Sequence, residues 1–130
     1  MPTGTLQALD LSVSLTADDL DRSIRFYTDG LGFEITRRME QDGTLRGVMV
    51  GAGRITLAIS QDDFAKGRHR VKGVGMGLYV VTDQELEPIA RRVEEAGIPF
   101  ESRLAPLPWG PLGFTVRDPD GLRVTVANPE

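Results

Sequence analysis

Cysteine is absent from the 130 residues of this chain, and histidine occurs once, as His69. The absence of cysteine excludes disulfides, thiolate metal sites and cysteine nucleophiles. Because histidine supplies most catalytic bases and many metal ligands, a single histidine makes a catalytic triad or a multi-histidine metal site hard to build. The composition therefore argues against several common kinds of active site before any motif is considered.

Long hydrophobic runs are also absent, and none approaches the roughly 20 residues that a membrane-spanning helix needs. The first ten residues lack a charged segment followed by an apolar stretch, so we expect no secretory signal and a cytoplasmic protein. The net charge of -4 argues against nucleic acid as a partner, since such proteins usually carry a basic face. The length corresponds to about one globular domain.

Two stretches of the chain, 12–33 and 76–100, follow the same order of residue types. Each begins with a strand-like run, continues through an Asp into an amphipathic run, and reaches a Gly before a new apolar run. Asp19 and Asp83 lie 64 positions apart, which is close to half of the chain. A fixed period of this kind indicates an internal duplication.

We therefore predict an α+β fold of two tandem βαβββ modules within a single domain, 1–130. Alternating apolar residues predict the strands, and Asp18 or Asp19 is expected to cap the first helix. Because Pro88 fits only in a first helical turn, the second helix is predicted to begin near Leu86 or Glu87. Module one is placed at 4–64, a polar linker at 65–72 and module two at 73–130. The predicted strands are 9–16, 33–37, 45–50, 54–59, 76–81, 100–104, 113–117 and 122–127.

Short motifs recur in order along this duplicated frame. They are Asp19-Leu20-Asp21-Arg22-Ser23 with Phe26-Tyr27, Gly30-Leu31-Gly32-Phe33, Ala96-Gly97-Ile98-Pro99, Trp109-Gly110 and Asp118-Pro119-Asp120-Gly121. On these residues the chain resembles the vicinal oxygen chelate superfamily, which includes glyoxalase I, bleomycin-resistance proteins and extradiol dioxygenases. The resemblance covers nearly the whole chain. It implies curved mixed sheets around a cleft, usually in a homodimer.

The resemblance also implies where a metal would be held. Many family enzymes bind a divalent metal through His and Glu, and the matching positions here are Ser12, Met76 and Thr125. Neutral hydroxyls and a thioether are poor ligands for Mn²⁺, Fe²⁺, Ni²⁺ or Zn²⁺. We therefore expect no metal and no other cofactor, which favours the bleomycin-resistance-like, metal-free branch of the family.

Strand alternation predicts which side chains face the cleft. In module two it places Met76, Leu78 and Val80 on the cleft side, with Tyr79 and Val81 behind. The only tryptophan lies in a proline-stiffened loop, where its ring could stack on a planar or cationic ligand. Met49 and Met76 could instead fill core. The predicted ligand-binding residues are Ser12, Ser14, Met49, Thr56, Met76, Leu78, Trp109, Arg123 and Thr125.

The predicted function is metal-independent binding of a small organic molecule, as in drug sequestration, by a homodimer with no nucleic-acid or membrane partner. Two alternatives stay open. One is a lyase, isomerase or dioxygenase-type enzyme with displaced metal ligands, which would need at least three His, Asp or Glu side chains to converge in the cleft; convergence of Asp10, His69 and Glu101 would favour it. The other is a non-catalytic interaction module with a collapsed cleft.

Overall fold

The structure, a computed structural model, describes residues 4–130, so the first three residues of the predicted domain lie outside the described part. Apart from a π-helical segment that follows the first helix, the two halves contain the same elements in the same order, which confirms the predicted α+β fold with two βαβββ modules. The first half comprises β1 (Ser12–Ala17), α1 (Leu20–Arg25), a π-helical segment (Phe26–Gly30), β2 (Glu34–Gln41), β3 (Thr44–Ala52) and β4 (Ile55–Gln61). The second half comprises β5 (Gly77–Val81), α2 (Leu86–Glu95), β6 (Phe100–Pro106), β7 (Leu112–Arg117) and β8 (Arg123–Ala127).

Each half forms a four-stranded sheet. The strand orders are β1-β4-β3-β2 and β5-β8-β7-β6. The first strand of each half pairs in parallel with the last, and the other pairs are antiparallel. Consequently β1 and β5 are edge strands of their sheets, and each has one edge unpaired within residues 4–130.

Both helices are short, with six residues in α1 and ten in α2. Asp19 caps α1, since its carboxylate accepts a hydrogen bond from the Arg22 N–H at 3.3 Å. The second helix begins at Leu86, as Pro88 predicts. No helix among the described residues has the length and apolar character needed to span a bilayer.

An amide side chain at the end of the last strand of each module holds the turn between its first strand and its helix. In the first module, Gln61 donates to the Asp18 carbonyl at 2.7 Å and accepts from the Leu20 N–H at 2.9 Å. In the second, Asn128 donates to the Gln84 carbonyl at 2.9 Å. Each helix is therefore fixed to its own sheet by the same device.

One contiguous hydrophobic core is shared by the two modules. The helix-covered faces of both sheets contribute to it, so the opposite faces point away from it. Its buried members include Tyr27, Val48, Val50, Leu57, Ile59, Leu86, Val93, Phe114, Val116, Val124 and Val126.

Polar contacts also join the modules. The buried Tyr27 hydroxyl donates to the Asp118 carboxylate at 2.8 Å. Burial, followed by the adjacent Asp118 charge, raises the pKa of Tyr27 far above its ordinary value, so the hydroxyl stays a neutral donor. Arg92 donates to the carbonyl oxygens of Thr28 and Asp29 at 3.0 and 2.9 Å. The first helical segment is thereby tied to the second module.

The segment after β4 is held by a buried ion pair. The Asp62 carboxylate lies 2.8 Å from the Lys72 ammonium and 3.2 Å from the Arg70 guanidinium, and Lys72 also pairs with Asp18. The hydrogen bond from Lys72, supported by the Phe64 N–H, lowers the pKa of Asp62 to about 2. The same pairs raise the pKa of Lys72, so this linker stays anchored near neutral pH.

Candidate functional site

The first open face is the side of the first sheet that points away from the core. In β1, Val13 and Leu15 pack against the core, and the alternating residues are exposed. Three hydroxyl residues and one methionine of the predicted site lie on this face. They are Ser12, Ser14, Thr56 and Met49. In the strand pairing Ser12 lies opposite Thr56, and Ser14 and Met49 lie on either side of Ala58.

The second open face is the corresponding side of the second sheet, and here the predicted orientation of β5 is wrong. Leu78 and Val80 pack against the core, whereas Tyr79 and Val81 are about half exposed. The run 76–81 is almost entirely apolar, so periodicity could not determine its orientation. Pairing with β8 determines it instead, because Tyr79 lies directly opposite Thr125.

Aromatic and hydroxyl groups meet on the second open face. The Trp109 indole N–H donates to the Tyr79 hydroxyl at 3.0 Å, and their ring centroids lie 5.9 Å apart. The Thr115 and Thr125 hydroxyls are buried and hydrogen-bonded to each other at 2.9 Å. Sequence reasoning singled out Trp109 and Thr125 but missed the role of Tyr79.

A charged cluster lies next to these groups. Arg117 and Arg123 are opposite each other in the β7–β8 pair. Their Nε atoms donate to the two oxygens of the Glu101 carboxylate at 2.7 and 2.8 Å. The hydrogen bonds from Arg117 and Arg123 lower the pKa of Glu101. The sequence indicated Glu101 and Arg123 separately, but the residues are 22 positions apart and no short-range pattern links them.

The edge cavity is a space of about 680 Å³ between the β1–β4 edge of the first sheet and β5 of the second. Its wall is mostly apolar, and Thr56 of the first open face and Tyr79 of the second both border it. It is lined by Asp10, Leu11, Val13, Phe33, Ala52, Gly53, Arg54, Ile55, Thr56, Leu57, Met76, Gly77, Leu78, Tyr79, Val80, Val81, Thr82, Gln84 and Val124.

The predicted site residues therefore fall into separate groups. Three of them, Thr56, Met76 and Leu78, line the edge cavity. Ser14, together with Met76, lines a smaller cavity of about 290 Å³ beside Lys72. The remaining five lie on the two open faces outside both linings: Ser12 and Met49 on the first, and Trp109, Arg123 and Thr125 on the second.

The donor set at the expected metal positions does not fit a divalent transition metal. Ser12 offers an exposed hydroxyl, Met76 a thioether, and the Thr125 hydroxyl is already bonded to Thr115. Within residues 4–130, no three His, Asp, Glu or Cys side chains are grouped so that they could hold a metal ion. Asp10 lies in the edge cavity, whereas Glu101 is paired with arginines on the second open face.

Comparison with known proteins agrees with this architecture. Among solved structures, the chain is similar to TioX from Micromonospora sp. ML1 (21% identity, 93% of this chain and 98% of that chain, TM-score 0.71). It is also similar to a glyoxalase/bleomycin resistance protein/dioxygenase superfamily member from Sphaerobacter thermophilus DSM 20745 (24%, 95% and 98%, TM-score 0.72). A third similar structure is lactoylglutathione lyase from Agrobacterium tumefaciens (27%, 98% and 95%, TM-score 0.64).

The family model described as Glyoxalase/Bleomycin resistance protein/Dioxygenase superfamily matches residues 11–126, which span both modules. The chain therefore belongs to the glyoxalase/bleomycin resistance protein/dioxygenase superfamily.

Proposed function

We propose that this protein binds a small organic molecule in the edge cavity without the help of a metal ion. The observation that carries the proposal is the cavity itself. Its volume of about 680 Å³ falls within the roughly 300–1,000 Å³ that is typical of ligand pockets. Apolar walls with a few polar groups are the usual make-up of such a pocket.

The polar groups of the cavity are placed where they can orient a ligand. Thr56 of the first sheet and Tyr79 of the second both line it, Gln84 adds an amide, and Asp10 and Arg54 add one charge of each sign. Leu57 and Leu78 are among the lining residues and offer apolar contact area. A ligand with an apolar body and one or two hydrogen-bonding groups matches this arrangement.

Sequestration of a drug-like molecule is the form of binding that we favour. The superfamily description names bleomycin resistance beside two enzyme classes, and the donor set here does not support the metal chemistry of such enzymes. Binding without chemical change needs only a complementary pocket, which the edge cavity supplies.

We also propose that the protein is a homodimer in which a second copy covers the unpaired β1 and β5 edges. Large exposed apolar side chains surround these edges, including Leu11, Met76 and Val81 at the mouth of the edge cavity. A cluster of this kind is unusual on a monomer surface. Light scattering after gel filtration is expected to give twice the chain mass of 14.2 kDa, and the mass of one chain would overturn this proposal.

The test of ligand binding is a thermal-shift screen of chelator-treated protein against a library of drug-like organic molecules. A ligand that binds only the native state raises the melting temperature, by an amount that grows with its concentration. We expect hits that persist in excess chelator. Hits that vanish with chelator and return with a divalent metal would overturn the metal-independent proposal.

Two substitutions at exposed valines locate the binding site. Val81→Asp introduces a charge into the apolar lining of the edge cavity. Val74→Asp is the matched control, because Val74 is even more exposed and lies outside that lining. We expect Val81→Asp to abolish the thermal shift given by a hit and Val74→Asp to preserve it. Equal shifts in the two variants would place the ligand elsewhere. Because Val81 also lies on the proposed dimer edge, light scattering of Val81→Asp must still give the mass of two chains for a lost shift to be assigned to the cavity.

A further inference from the structure

We propose that the ligand is a planar aromatic molecule carrying one anionic group, which Arg123 binds beside the Tyr79–Trp109 pair. This inference rests on the proposed function and names the chemical class of the ligand. It is carried by the arrangement of side chains on the second open face.

The second open face is organised in rows that run across the strands. Tyr79, Thr125 and Thr115 lie opposite one another and form one row. Gly77, Arg123 and Arg117 form the next. Successive rows are two residues apart along each strand, which is about 7 Å. One small molecule can therefore place an aromatic ring against the first row and an acidic group against the second.

The charge balance of the arginine row favours a single negative charge. Two guanidinium groups share the one Glu101 carboxylate, which leaves one net positive charge. Arg117 is held further by a bond from its Nη1 to the Gly121 carbonyl at 2.9 Å. The Nη1 of Arg123 has no partner within residues 4–130, and its side chain is 54% exposed. Arg123 is thus held in place by Glu101 and still offers a donor to a carboxylate.

Gly77, which has no side chain, lies at the boundary between the arginine row and the edge cavity. Gly77 lines the cavity and lies opposite Arg123. A Cβ atom added at Gly77 would lie 4.0 Å from the Arg123 Cβ, so no side chain stands between the cavity and the arginine at this point. A ligand whose apolar part enters the cavity can pass over Gly77 to reach Arg123.

The aromatic pair is already in position to contact a planar ring. The Trp109 and Tyr79 residues are 53% and 48% exposed, and their mutual hydrogen bond fixes both rings. Such rings attract cations as well as planar groups. The cavity lining carries one charge of each sign, on Asp10 and Arg54, whereas the adjacent arginine row has a net positive charge and would repel a cation. An anionic ligand is therefore favoured over the cationic one that the tryptophan alone suggests.

The test compares three probes that share a naphthalene ring and differ in the charge of its substituent: 2-naphthoate, 2-naphthamide and 2-naphthylmethylammonium. Because the chain contains one tryptophan, a ¹⁵N-labelled sample gives one indole N–H signal, which reports on Trp109 directly. We expect naphthoate to shift this signal with an affinity about tenfold higher than naphthamide, as one charge-assisted hydrogen bond would give. The ammonium probe should bind more weakly than both.

Substitutions then assign the preference to Arg123. Arg123→Gln should lower the affinity for naphthoate about tenfold and leave that for naphthamide within about twofold. Arg123→Lys should retain part of the preference, because lysine keeps the charge but loses the planar donor geometry. Arg103→Gln is the matched control, since the Arg103 guanidinium lies over the Phe100 ring, away from the arginine row. It should change neither affinity.

The outcomes separate this inference from the proposed function. Equal affinities for naphthoate and naphthamide, tighter binding of the ammonium probe, or an unchanged preference in Arg123→Gln would overturn the inference and leave the proposed function intact. Library hits without affinity for any naphthyl probe would do the same. An absence of hits from the whole library would overturn the proposed function and this inference with it.

Discussion

The two modules share one topology but carry different chemistry on their open faces. The first face presents separate, partly exposed hydroxyl residues such as Ser12, Ser14 and Thr56. The second presents a buried hydroxyl pair, an aromatic pair and an ion cluster built on Glu101. The duplicated frame therefore fixes where side chains point, and the residues chosen at those points decide what each face can bind.

Under the proposed function, this contrast assigns most of the polar contacts with a ligand to the second module. Its groups are bonded to one another before any ligand arrives, so little ordering is needed when a ligand binds. The first module contributes apolar wall to the edge cavity through Val13 and Leu57, with Thr56 as a polar contact. It also contributes Tyr27, which anchors a turn of the second module.

The largest expected effect comes from Tyr27→Phe. This change removes the hydroxyl that donates to the buried Asp118 carboxylate. A hydrogen bond to a charged group is worth about 1.5–3 kcal/mol, so we expect a loss of that size in the free energy of unfolding. Urea denaturation measures it. A loss below about 0.5 kcal/mol, the usual limit for a surface substitution, would contradict the role given to this contact.

Thr125→Val tests the difference between the hydroxyls of the two faces. It leaves the buried Thr115 hydroxyl without its partner, which should cost about 1–2 kcal/mol of stability. The double change Thr115→Val with Thr125→Val should cost less than the sum of the single changes, because no unpaired group remains. Ser14→Ala on the first face should stay within about 0.5 kcal/mol. Equal losses of unfolding free energy for Thr125→Val and Ser14→Ala would show that the hydroxyls of the two open faces do not differ in their contribution to stability.

Asp62→Asn tests the ion pair that holds the linker, and its effect should depend on pH. The folded-state pKa of Asp62, about 2, lies below the ordinary value of about 3.9. The ionised carboxylate therefore contributes stability above about pH 4, and this contribution is lost as the pH falls towards 2. We expect a modest loss, since Lys72 keeps Asp18 as a partner.

Melting temperatures of wild type and Asp62→Asn should differ at pH 5–7 and converge as the pH falls from about 4 to 2. Asp63→Asn is the control, because the neighbouring Asp63 is exposed and, among the described residues, accepts a hydrogen bond only from the Ala65 N–H. If the difference in melting temperature between wild type and Asp62→Asn does not narrow below pH 4, the charge of Asp62 is not the cause of that difference.

The smallest loss of stability is expected for Tyr79→Phe, which removes a tyrosine hydroxyl from the second module as Tyr27→Phe removes one from the first. Its hydroxyl accepts the Trp109 indole N–H at a half-exposed position, where water can replace it. The free energy of unfolding should change by less than about 0.5 kcal/mol. A loss as large as that of Tyr27→Phe would show that the aromatic pair has a structural role beyond ligand contact.

Local signals in the sequence predicted most of the fold. The Asp18-Asp19 pair and Pro88 located the two helix starts to within one residue, and the repeat of residue types predicted the βαβββ order. The orientation of β5 was not predicted correctly because the run 76–81 is apolar except for the hydroxyl of Tyr79, which alone is a weak mark of an exposed side. Its orientation depends on pairing with β8, which is a long-range contact.

The candidate site was less predictable for the same reason. The Arg117–Glu101–Arg123 cluster joins three strands, and a register shift between Phe100 and Ser102 leaves Glu101 without a regular partner in the β6–β7 pair. The edge cavity also exists only because two edge strands from different modules lie near each other. Neither feature leaves a pattern within one stretch of sequence.

The central claim is that the edge cavity binds an organic molecule without a metal ion. Isothermal titration calorimetry of the strongest library hit, with and without excess chelator, tests it on wild type and Val81→Asp. We predict the same affinity in both buffers for wild type and no measurable binding to Val81→Asp. Loss of binding in chelator, or equal binding to both proteins, would contradict the claim.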